Sequence, residues 1–210
     1  MFGLDEKIAS LASGEPLAAL AVALLLGLRH PLDPDHLAAV GAMARASGQN
    51  ARGAAIRLAW GAGHATTVLI LNGALHLDVL VLQRLLEALI GAVILALGLR
   101  LLLRHGRGSQ HPHPHRPPAS QREAYGVGMV HGAGGTAGIG LLLVAAIPGP
   151  AVALTALLVF ALATALAMSA VAAGLGRALH ALPARAIGVS TCAFGAWYLS
   201  AAALGAPYAF

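Results

Sequence analysis

Arg29-His30-Pro31-Leu32-Asp33-Pro34-Asp35-His36 packs two imidazoles and two carboxylates into eight residues. The apolar run Leu17 to Leu28 leads into it, and Leu37-Ala38-Ala39-Val40 follows. Ionisable groups inside such a segment are costly, and in a membrane helix they mark a functional site by default. On one ideal helix His36 would lie about 240° around the axis from His30, and Asp35 about 140°. Pro31 and Pro34 change that geometry, because each removes a backbone N–H and disturbs the preceding turn. The spacing therefore predicts a helix broken between residues 30 and 36, with side chains turned toward one point. Broken backbone at membrane depth is tolerated where it lines a cavity or packs within protein.

The rest of the chain supports the membrane setting. Of its 210 residues 58% are hydrophobic and 10% charged, against about 25% charged in soluble domains. Its mean hydropathy is +0.78. The expectation is an all-α integral membrane protein of six spans, near 17–41, 54–75, 79–103, 124–146, 151–174 and 185–206. Residues 1–16 read as a surface segment and 105–123 as a flexible loop carrying His105, His111, His113 and His115 among prolines. The net charge of +5 comes from arginines in the gaps between spans rather than from a basic stretch interleaved with aromatics, which argues against nucleic acid. Cys192 stands alone, which excludes an internal disulfide and a thiol redox pair.

Arg45, Arg52, Arg104, Arg116, Arg177 and Arg185 fall on one side of the six-span layout. The other side holds Lys7 and Arg84 against Asp5, Glu6, Glu15 and Asp78. The positive-inside rule then places the His-rich loop in the cytoplasm and both termini outside. Gly27-x-x-His30 matches Gly128-x-x-His131 at an offset of 101, and Gly91-x6-Gly98 matches Gly188-x6-Gly195 at an offset of 97. A three-span unit repeated in this way, 17–104 and 124–210, enters the membrane from opposite faces, a transporter architecture with its site between the copies.

Counting about 1.5 Å per residue from the membrane edges puts His30, His64 and His131 within about 10–15 Å of the cytoplasmic face. Glycines at 61, 63, 132, 134 and 135 allow close helix approach. Imidazoles with a carboxylate suit a borderline ion such as Ni(II), Co(II), Zn(II) or Cu(II) rather than Mg(II) or Ca(II). The candidate ligands are His30, Asp35, His36, His64 and His131. Asp33 either ligates or orients a histidine. His64 taken alone fits a helix–helix hydrogen bond equally well. His76 and His180 read as interfacial residues, and Glu87 with Arg84 as a surface pair.

His30-x4-Asp35-His36 after Gly27-Leu28-Arg29, Gly63-His64 before Ala65-Thr66-Thr67, and Val130-His131-Gly132-Ala133-Gly134-Gly135-Thr136 together resemble motifs of the nickel/cobalt transporter family (NiCoT), nearest its shorter NicO and urease-accessory UreH-like members. The resemblance implies translocation of nickel or cobalt as substrate, no resident cofactor and no enzymatic step, with His30, Asp35 and His36 essential. It also implies a cell-membrane location and a cytoplasmic metal chaperone as a possible partner for the His-rich loop. Against the longer members the chain has six spans rather than eight and lacks their later aspartate-rich motifs. Export through the same site, and a non-transporting urease-accessory or sensing role, stand as rivals. A membrane metallohydrolase is disfavoured, since no H-E-x-x-H pair is present.

Overall fold

The structure, a computed structural model, describes residues 15–47, 51–74, 80–106, 120–134 and 145–205, together with Gly140 and Leu143. Among them every element is helical. Helix α1 (Pro16–Arg29) gives way to a 3-10 turn (His30–Leu32), and α2 (Pro34–Ser47) follows. Then come α3 (Ala51–Ala74), α4 (Leu80–Gly106), α5 (Gln121–Gly132), α6 (Pro150–Ala178), a second 3-10 turn (Leu179–Ala181) and α7 (Ala184–Leu204).

The break falls where the prolines require it. Asp33 is extended at φ −64° and ψ 142°, the conformation imposed on a residue that precedes proline. Pro34 then opens α2, where a missing N–H costs nothing, and the Leu37 N–H closes the first turn on the Asp33 carbonyl at 3.0 Å. The two helical arms meet at 58°.

Four stretches are long and apolar enough to cross a membrane: Arg52–Asn72, Arg84–Leu103, Pro150–Ala178 and Ala184–Leu204. The bent pair Pro16–Leu32 with Pro34–Met43 makes five if it counts as one span. This is a multi-pass membrane protein. Six spans were expected. The fourth, 124–146, is helical over Gln121–Gly132, and residues 135–139 lie outside the described set. So do 1–14 and 107–119, hence most of the surface segment and of the His-rich loop, and also His76. Several bounds change. The first span's second arm is helix as far as Ser47, α4 continues through Arg104 and His105 to Gly106, α5 opens at Gln121 inside the expected loop, and α6 runs on to Ala178.

Helices pair as α4 on α7, α3 on α5, α1 on α6 and α3 on α6. Small residues set these contacts. A Cβ on Gly91 would meet Leu199 backbone, and one on Gly188 would meet the Leu102 side chain. One on Gly98 would meet Cys192 backbone, and one on Gly195 Leu95 backbone. Each contact in α4 therefore has a counterpart in α7, displaced by the same 97 residues that relate the glycines. Glu87 departs from its expected place. It is buried at 7% exposure, one turn before Gly91, while Arg84 lies beside Gly205 at the end of α7.

Of three apolar clusters among the described residues, two border the site. One joins α1 and α6 through Val22, Leu26, Leu157 and Phe160. The other joins α2, α3, α4 and α7 through Val40, Trp60, Ile90, Ile94 and Tyr198. The site lies at the seam between them, flanked by Phe160 from the first and Trp60 from the second.

Candidate metal centre

His30 ends α1 and begins the 3-10 turn, and His36 sits in the first turn of α2. The 58° bend that separates these arms brings the two rings to a centroid distance of 4.2 Å. Proline placement is thus converted directly into ligand placement. His64 comes from the middle of α3, 5.2 Å from both His30 and His36. His131 comes from the last turn of α5, 4.3 Å from His36.

Glycines hold α5 to this depth. A Cβ on Gly128 would strike the Trp60 carbonyl, and one on Gly132 would lie 2.6 Å from the His64 carbonyl. Tyr125 donates its hydroxyl to Thr66 Oγ1 at 3.0 Å, tying the same pair of helices. At the start of α5 the Ser120 hydroxyl accepts from the Glu123 N–H at 3.1 Å, and the Glu123 carboxylate accepts from the Ser120 N–H at 2.9 Å. This reciprocal cap fixes the first turn.

All four rings are buried, at 0–2% exposure. Buried polar groups in proteins almost always have partners. Here Nε2 of His36, Nδ1 of His131 and both ring nitrogens of His64 make no hydrogen bond among the described residues. Desolvated lone pairs without partners cost stability, so the fold retains an arrangement that packing alone does not favour. The helix–helix hydrogen bond that His64 fits from sequence is not made.

The carboxylates lie at the edge of the cluster. Asp35 is hydrogen-bonded through Oδ1 to His36 Nδ1 at 3.1 Å, and its Oδ2 lies 3.3 Å from His131 Nε2. Asp33 Oδ2 lies 3.1 Å from His30 Nδ1, and its other oxygen lies 4.0 Å from Arg29. Two sets of donors result. His30, His36 and His64 form one, Asp35, His36 and His131 the other, with donor atoms within 4.8 Å of one another in each. Ligands at about 2.0–2.1 Å from a common ion lie roughly 3–4 Å apart, so small rotamer changes bring either set onto one ion. His36 belongs to both. Asp33 belongs to neither and stands behind His30.

Five of the six residues singled out from the sequence fall in the two donor sets, and Asp33 pairs with His30 behind them. Sequence reading missed the walls, Trp60 and Phe160, and the buried Thr164 one turn after Phe160. Trp60 and Phe160 occupy the same register in α3 and α6, an offset of 100 that the glycine and histidine matches foreshadow.

Fold and site together define a multi-pass membrane protein with a buried imidazole and carboxylate centre. The chain is 25% identical to the urease accessory protein UreH of Bacillus sp. (strain TB-90), in a match covering 72% of this chain and 73% of that one. This likeness supports a UreH/NiCoT-like family. No family model matches the chain, and no solved structure does.

Proposed function

We propose that this chain is a membrane permease that takes up nickel, with cobalt as the alternative cargo, through the His/Asp centre. The observation that carries the reading is the set of buried ring nitrogens on His36, His64 and His131 that make no hydrogen bond among the described residues. Nitrogen-rich sites of this kind suit late first-row divalent ions. The ion exchanges its water for His30, His36 and His64. Because His36 also belongs to the set with Asp35 and His131, the ion can change partners without leaving that ring. The reciprocal contacts of α4 and α7 support a reading as two inverted three-helix repeats, whose rocking about the site would alternate access. On the same reading the termini lie outside the cell membrane, and the His-rich loop passes metal to a cytoplasmic chaperone. Efflux through the same centre is the first rival. The name of the UreH relative favours a non-transporting urease-accessory role as the second.

Nickel accumulation by sealed vesicles containing the purified protein tests the reading. Uptake should exceed that of empty vesicles at pH 7.5. It should decline as the pH is lowered, because a protonated ring has no lone pair for the ion. The sign follows from proton competition: acid removes ligands and alkali restores them. Vesicles that bind nickel without accumulating it would favour the accessory role, and outward movement the exporter.

Asp33→Asn probes the carboxylate behind His30. The change keeps the shape and removes the charge that orients the ring. Losing an outer partner of a ligating histidine typically weakens metal binding ~10–100-fold, and nickel affinity should fall within that range. An unchanged affinity would show that Asp33 does not act through His30.

A further inference from the structure

Thr164 lies in the middle of α6, fully buried, and its hydroxyl has no hydrogen-bond partner among the described residues. Threonines in helices commonly satisfy the hydroxyl on the carbonyl one turn back. Thr66, Thr67 and Thr155 do so here, at 2.8, 3.4 and 2.8 Å. Thr164 does not, although the same kind of carbonyl lies one turn behind it.

Phe160, one turn earlier on the same face of α6, has its ring 6.0 Å from that of His30. The Thr164 backbone nitrogen lies 3.2 Å from where a Cβ on Gly27 would be, and Gly27 is one turn before His30. The other half of the molecule repeats this arrangement. Gly128, one turn before His131, packs on Trp60 and on the backbone nitrogen of His64, 3.0 Å from its own Cβ position. In backbone register, Thr164 thus stands to Gly27 and His30 as His64 stands to Gly128 and His131.

We infer that Thr164 Oγ1 is the oxygen donor that completes the coordination of an ion held by His30, His36 and His64. Three imidazoles leave a first-row ion short of the four donors it takes at minimum. Asp33 is engaged with His30, and Asp35 lies between His36 and His131. Trp60 Nε1 also lacks a partner, but an indole nitrogen only donates. The Thr164 hydroxyl has lone pairs to give, and among the described residues it makes no hydrogen bond that would compete for them. A neutral oxygen leaves the site's charge unchanged and makes it less nitrogen-rich than a fourth imidazole would, which bears on the choice among nickel, cobalt and softer ions.

The inference rests on the metal-transport reading above, and the test separates the two. Purified full-length protein is titrated with Co(II) and followed by the visible ligand-field bands, which report coordination number and donor type. Thr164→Val keeps the side-chain shape and removes the oxygen. It should weaken Co(II) binding at least tenfold and shift the bands, with a thermal midpoint in the metal-free state that is unchanged or higher, since an unsatisfied buried hydroxyl has been removed. Thr164→Ser restores the oxygen and should restore both affinity and spectrum. A valine variant that titrates like wild type, with the same bands, overturns the donor role while leaving the metal centre intact. Wild-type protein that develops no Co(II) bands overturns the metal centre and this inference with it.

Discussion

Replacing His36 with alanine is expected to abolish nickel accumulation in cells and to weaken nickel binding by the purified protein by more than ~100-fold. The expectation follows from its position. His36 is the one residue common to both donor sets, and its ring lies 4.2 Å from His30, 4.3 Å from His131 and 5.2 Å from His64. His64→Ala leaves Asp35, His36 and His131, and His131→Ala leaves His30, His36 and His64, so each single loss spares a three-donor set. His36→Ala spares none. Its effect should therefore exceed the ~10–100-fold that follows loss of an outer partner, and exceed that of either other histidine. Asp35 adds to the case. Its Oδ1 is paired with His36 Nδ1 at 3.1 Å, which leaves Nε2 as the ring nitrogen available to an ion. Isothermal titration with Ni(II), beside metal accumulation in cells, provides the check. An alanine variant that accumulates metal like wild type removes His36 from the centre and dismantles the proposed route.

The site was more legible in the sequence than the fold around it. Two prolines within four residues, flanked by histidines in an apolar run, leave the chain few ways to continue as a single helix, and the break appears at the 3-10 turn His30–Leu32. Depth counting was enough to bring His64 and His131 to the same level, because rise per residue is nearly constant in a helix. Helix ends were less legible. Arg104 and His105 read as the start of a polar loop, yet α4 runs to Gly106. A helix carries its own hydrogen bonds and need not stop where the apolar residues do. Glu87 was misread for another reason. An acid three residues from an arginine is the mark of a solvated pair, but burial is decided by the neighbouring helix. Glu87 shares a face with Gly91, which is packed on Leu199 of α7. Thr164 gives no local signal at all. Only the offset of about a hundred residues that relates it to His64 points to it, and that relation acquires meaning once the helices are seen to meet.

Gly128→Val should disable the centre without removing a single donor atom. The α-carbon of Gly128 lies so close to α3 that an added Cβ would overlap the Trp60 carbonyl and come within 3.0 Å of the His64 nitrogen. Those obstacles are backbone, which has no rotamer to change. Gly132, one turn along, faces the His64 carbonyl in the same way, and Gly63 faces Tyr125 from the other helix, so the pair cannot slide to make room without meeting a second contact. The clash is at the Cβ itself, which the backbone fixes, so no valine rotamer avoids it. Overpacking of this kind costs ~3 kcal/mol, and relief requires α5 to move outward, taking His131 away from His36 and Asp35. The expected outcome is a lower thermal midpoint and nickel binding reduced to what His30, His36 and His64 supply. Gly126→Val is the matched control: it lies on the same helix two residues earlier, and a Cβ there meets nothing within 4 Å. If the two variants have the same thermal midpoint and the same nickel affinity, then α3 and α5 are not in backbone contact, and His131 is not held at the centre by that packing.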